Sequence, residues 1–251
     1  MRPVTPSQEQ QDLLTKARTL LIVDHPFFAS IILRKPIIWT CDVPTAACSP
    51  RGQIYLNPEW ISDQGLTSKN MIFLLAHEAF HYILLHGVRR GHRDPVAWNI
   101  AGDKVINDTL IDAKVGEFID GGVTEDGARH LSTESLYNED DKDSDGPGGA
   151  GSDILSHDPG DGDGDDGSGD RPLTEGEIAE IEAQVKIDLV QAKQTAKMQG
   201  KLPAALERLV DSMVQVKTPW EDILERFMVS FRRDDLSWSR PNRRHIASDI
   251  Y

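Results

Sequence analysis

Five consecutive residues carry the clearest chemical signal in this chain. His77-Glu78-Ala79-Phe80-His81 places two imidazoles four residues apart with a carboxylate directly after the first. On an α-helix, positions four apart differ by roughly 40° and project from one face, so both rings can reach one ion. Two histidines and a neighbouring glutamate are what metal-assisted hydrolysis needs. A zinc ion lowers the pKa of a bound water to about 7, and Glu78 is placed to take that water's proton and later give it to a leaving amine.

The pattern is informative only if it lies on a helix, and the flanking sequence supplies one. Thr67 or Ser68 can cap it, apolar residues recur at Ile72, Leu75, Ala76, Phe80, Ile83 and Leu84, and Gly87 is the expected stop. Asp94-Pro95 then reads as an N-cap with proline at the first helical position. A second long helix follows, marked by Ala97, Ile100, Ala101, Val105, Ile106 and Leu110.

Catalytic zinc usually takes three protein ligands and a water. Two residues are candidates for the third ligand. Asp103 lies on the second helix, where small Ala101 and Gly102 would permit close helix packing. His86 is the alternative, but on a regular helix it would sit about 140° round from His81 and point away. Asp103 is therefore the expected ligand. Asn99 and Asn107 share the Asp103 face at four-residue spacing and can hydrogen-bond the ligands or form a solvated polar face. Upstream, Ile37-Ile38-Trp39-Thr40 and Gln53-Ile54-Tyr55-Leu56 read as strands. The second is a candidate edge for binding substrate as an added strand, and Tyr55 is a candidate for polarising the substrate carbonyl.

The rest of the chain frames this centre. Ser7 opens a helix-like run from Gln8 to Val23, and a short apolar helix is expected over Phe27 to Leu33. Residues 1–137 form an ordinary globular block. Residues 138–172 do not: between Asn138 and Asp170 there are 12 acidic residues, one lysine and nine glycines. Such a stretch buries too little apolar surface to offset its ordering entropy, and it reads as a disordered acidic linker. Residues 173–251 are helical, with capping boxes at Thr174/Glu177 and Thr218/Glu221, and are expected to pack back on the first block. The fold class is thus α+β, mostly helical with a small sheet.

The net charge of −14, from 27 Lys+Arg and 41 Asp+Glu, belongs mainly to the stretch from Asn138 to Asp170, which carries −11. No long basic run marks a nucleic-acid surface. No apolar run approaches the roughly 18 residues that span a bilayer. Cys41 and Cys48 make no disulfide framework, and the N-terminus lacks a secretory pattern. A cytoplasmic protein is expected.

His77-Glu78-Ala79-Phe80-His81 with His86, then Trp98-Asn99-Ile100-Ala101, Asp103 and Ile106-Asn107, resembles a metallopeptidase family of bacteria and phages. Ile54-Tyr55-Leu56-Asn57-Pro58 and the tail from Asp234 to Arg244 share the resemblance. Members often continue into a von Willebrand A-like domain; the sequence given ends at Ile250-Tyr251, which fits either a short member or a fragment. The resemblance implies a zincin-like fold, Zn2+ at His77 and His81, Glu78 as general acid/base, a third ligand at or near Asp103, and a polypeptide substrate. The rival reading is a non-catalytic, metal-stabilised module that acts through a protein partner.

Overall fold

The computed structural model describes residues 1–143, 154–155 and 173–214. Nine α-helices and three short strands are found among them, in the order α1 (Gln8–Asp24), α2 (Pro26–Ile32), β1 (Ile37–Trp39), β2 (Ala46–Cys48), β3 (Ile54–Leu56), α3 (Pro58–Asp63), α4 (Ser68–Ile83), α5 (His86–Arg89), α6 (Pro95–Asp112), α7 (Thr133–Leu136), α8 (Glu175–Met198) and α9 (Ala204–Val214). The protein is α+β and mostly helical, as expected from sequence. Most of the 138–172 stretch read as a disordered linker, and the helix and arginine-containing tail expected after Thr218, lie outside the described residues.

Local chemistry sets most helix starts. Ser7, Thr67 and Thr174 each accept a hydrogen bond from the backbone N–H three residues on, in reciprocal capping boxes with Gln10, Asn70 and Glu177. Asp94 accepts from Val96 N and Ala97 N ahead of Pro95. Asn57 does the same for Glu59 and Trp60, starting α3.

The sheet has the order β1-β3-β2, with β1 parallel and β2 antiparallel to β3. This corrects one expectation. β3 is the central strand and is paired on both sides, so Gln53–Leu56 offers no free edge to a substrate. The outer edge of β2 carries Ile154, which bridges Cys48 in parallel, and Leu155 N donates to Cys48 O at 3.0 Å.

A single large core joins α1, α2, α4 and α6 to the apolar face of α8, through Ile181, Val185, Leu189, Ala192 and Ala196, and to Leu206 and Val210 of α9. A buried polar knot ties α8 to α4. Tyr82 donates its hydroxyl to Asp188 Oδ2 at 2.8 Å, Lys35 Nζ lies 3.0 Å from the same oxygen and 4.0 Å over the Tyr82 ring, and Gln184 donates to Oδ1 at 2.9 Å. Burial and this carboxylate both push the Tyr82 phenol well above its ordinary pKa. Asp188→Ala leaves Tyr82 and Lys35 short of an acceptor in a buried setting, although Lys35 keeps its 3.1 Å donation to Arg51 O. The expected loss is about 1–3 kcal/mol of unfolding free energy in urea titration.

Candidate metal centre

α4 supplies the two imidazoles and α6 faces them. His77 Nε2 and His81 Nε2 are 2.9 Å apart, and Asp103 Oδ1 lies 3.3 Å from the first and 3.2 Å from the second. All three side chains are buried, and their ligand atoms form the only such His/Cys/Asp/Glu cluster among the described residues. An ion about 2.0–2.1 Å from each atom of a tetrahedral zinc site requires ligand separations of about 3.3 Å. The observed triangle fits that requirement. Asp103 Oδ1 is buried without an ordinary hydrogen-bond donor, so its lone pairs stay directed at the cluster.

Each ligand side chain is held from behind. His77 Nδ1 is 2.8 Å from Asn107 Oδ1, and Asn107 Nδ2 donates to Val123 O at 2.8 Å. Asn99 Nδ2 donates to Asp103 Oδ2 at 3.2 Å. His81 Nδ1 is 3.0 Å from His86 Nδ1, and His86 Nε2 is 3.0 Å from Thr133 Oγ1. If each of the first two rings carries its proton on Nδ1, both Nε2 atoms present lone pairs to the cluster. His86 then accepts at Nδ1 and donates from Nε2 to Thr133. This is the arrangement of partners that fixes tautomer and ring orientation around a metal. Asn99 and Asn107 thus face the ligands rather than solvent.

His86 reaches this position because α4 ends earlier than its sequence suggests. The helix stops at Ile83, Leu85 adopts a left-handed conformation (φ 57°, ψ 33°), and the chain restarts as α5. Arg89 Nη1 donates to Leu84 O at 2.7 Å and Trp98 Nε1 to His86 O at 3.0 Å, which pins the turn. The break brings His86 back onto His81, but behind the ring rather than beside the cluster. The structure therefore separates His86 from the three ligand atoms and places Asp103 with them. Tyr55 is not brought to the site: it is buried on β3, with its hydroxyl donating to Gln53 Oε1 at 2.7 Å.

Burial pushes the His81 imidazole below its ordinary pKa, with Asp103 opposing, and pushes His86 well below it, with His81 and Arg89 adding to the effect. Both rings are therefore neutral near pH 7, the form that offers a lone pair. Burial alone would raise the Asp103 carboxyl, but the adjoining His77 and His81 side chains outweigh it and hold the group ionised well below the usual carboxylate range.

Gly102 explains the close approach of α6. A methyl group there would come within 2.8 Å of His86 Nδ1 and 2.9 Å of its Cε1. The ring has little room to retreat, because it is buried between Thr133, His81 and Trp98. Alanine normally favours a helix interior over glycine by about 1 kcal/mol. Here Gly102→Ala is expected to destabilise instead, by about 1–3 kcal/mol of overpacking, seen as a lowered thermal midpoint.

Glu78 is buried and lines, with His77 and Asp103, a cavity of about 300 Å3 between α3, α4, α6 and the 116–124 loop. The cluster is thus reachable from one side, next to the carboxylate. Sequence reasoning missed the cavity's outer wall, since nothing in the weak pattern beyond Lys114 marks it.

A family model described as "Putative metallopeptidase domain" matches residues 9–251. No curated protein and no solved structure matches the chain. Among the described residues no helix is long and apolar enough to cross a membrane.

Proposed function

Since the chain belongs to the putative metallopeptidase domain family, we propose that it is a zinc-dependent peptidase that hydrolyses polypeptides at the cavity beside His77, His81 and Asp103. The observation that carries this reading is the convergence of three ligand atoms at 2.9–3.3 Å on a cavity that Glu78 also lines. Two imidazoles and one carboxylate form a mixed nitrogen and oxygen set that suits zinc. Bound there, the ion supplies Lewis acidity, which lowers the pKa of a water to about 7 and polarises a carbonyl.

The chain's own groups do the rest. Asn107 and His86 hold the two imidazoles in register, and Asn99 holds one oxygen of Asp103 while the other faces the histidines. Glu78 accepts a proton on its carboxylate from the attacking water and returns it to the amine nitrogen as the peptide bond breaks. A purely structural zinc site is closed by four protein ligands. Three converging ligand atoms beside an open cavity favour catalysis over the rival reading of a metal-stabilised interaction module.

The test is hydrolysis of flexible polypeptides by the purified, zinc-loaded protein. Cleavage is expected to stop on addition of a strong zinc chelator and to return when zinc is restored. Cleavage that persists in chelator would overturn the metal-dependent reading.

A further inference from the structure

The cavity has a polar end and an apolar end. Its polar end is the ligand cluster with Glu78, and its apolar end is built by Trp60 of α3, Phe73 and Leu74 of α4, and Phe118, Ile119 and Val123 of the loop that follows α6. At about 300 Å3 it lies at the small end of ligand pockets, which run from about 300 to 1,000 Å3. That is room for one large side chain and its backbone rather than for an extended cofactor.

The apolar wall is fixed in place by α4 and α6, the helices that carry the centre. Asn70, the capping-box partner of Thr67 in α4, donates through Nδ2 to Glu117 O at 3.1 Å and Phe118 O at 3.3 Å. Glu117 N donates to Lys69 O at 3.1 Å. Gly116 turns the loop at φ +67°, so close to α4 that a β-carbon would collide with Lys69 O and Phe73 N. Phe118 then packs edge-on against Phe73, with ring centroids 5.5 Å apart. Asn107 completes the frame, since it touches His77 with one end of its amide and Val123 with the other. The pocket wall and the orientation of a ligand imidazole are therefore parts of one hydrogen-bonded unit.

We propose that this cavity is a specificity pocket that selects a large apolar side chain, of the leucine or phenylalanine class, on the residue next to the scissile bond. The inference rests on the zinc peptidase reading and adds its substrate class. An apolar side chain entering from the cluster exchanges water for Phe73, Leu74 and Phe118. A charged side chain would have to give up its hydration, and an anionic one would also meet Glu78 and Asp120, two carboxylates of the lining.

The experiment measures binding rather than turnover, so that it does not depend on having found a good substrate. Glycine, leucine, phenylalanine and aspartate hydroxamates are titrated calorimetrically into the full-length, zinc-loaded protein. The hydroxamate group engages an open metal position and the side chain samples the pocket. Leucine and phenylalanine hydroxamates are expected to bind at least about tenfold more tightly than glycine hydroxamate, the lower end of what burial of such a side chain yields. Aspartate hydroxamate is expected to bind no better than glycine. Phe118→Ala is expected to shrink the leucine-to-glycine ratio severalfold. Equal affinities across the series, or a ratio unchanged by Phe118→Ala, would overturn the pocket while leaving the zinc site standing. Failure of every hydroxamate to bind would instead overturn the zinc reading, and the pocket proposal with it.

Discussion

Glu78→Gln is expected to lower kcat by about 10²–10⁴, the usual contribution of a positioned general acid/base, while the protein keeps one zinc per chain. The substitution is close to isosteric. It leaves α4, its capping box at Thr67 and both imidazoles where they are, but replaces a group that can carry a proton with one that cannot. Glu78 is buried on the cavity wall beside His77 and Asp103, so bulk solvent is poorly placed to take over. Because the change acts on proton transfer, KM for a given peptide should move far less than kcat. Undiminished turnover in a zinc-loaded Glu78→Gln protein would remove Glu78 from the chemistry.

The second large effect concerns Asp103. Asp103→Ala should weaken zinc affinity by more than about 100-fold, since loss of a hydrogen-bonding partner behind a ligand already costs about 10–100-fold and here a ligand atom itself is lost. Competition against a chromogenic chelator measures it directly. Asn99→Ala is the matched control, because it removes only the 3.2 Å hydrogen bond to Asp103 Oδ2 and should fall within the 10–100-fold range. The helix that carries both is held by buried Trp98, Ile106 and Leu110, so a folded protein is expected in each case, and circular dichroism verifies it. Equal affinities for Asp103→Ala and wild type would move the third ligand elsewhere.

Features set by local chemistry are readable in the residues. Ser7, Thr67, Asp94 and Thr174 marked helix starts that the structure reproduces. The four-residue spacing of His77 and His81 put both rings on one face, and helical spacing brought Asn99, Asp103 and Asn107 to another. What escaped depends on tertiary contacts. β2, Ala46–Cys48, has none of the β-branched or aromatic residues that mark a strand and exists through its pairing with β3. The end of α4 escaped because Leu84-Leu85 continues an apolar helical pattern. A leucine in the left-handed region is an uncommon outcome, held here by contacts from Arg89 and Trp98 that lie outside the local sequence. From that one turn follows the difference between His86 as a rival ligand and His86 as the residue that orients His81. The apolar pocket wall escaped for the same reason, since the 116–123 loop has no periodicity of its own and takes its shape from Asn70, Gly116 and Asn107.

The proposed chemistry depends on a metal held by His77 and His81 with Asp103. Metal analysis after extensive dialysis tests it most directly, with wild type beside the His77→Ala/His81→Ala double variant and folding of both checked by circular dichroism. About one zinc per chain is expected in the wild type and close to none in the variant, as befits a site with three protein ligands. A wild type that retains no metal when zinc is supplied, or a double variant that retains as much as the wild type, would contradict it.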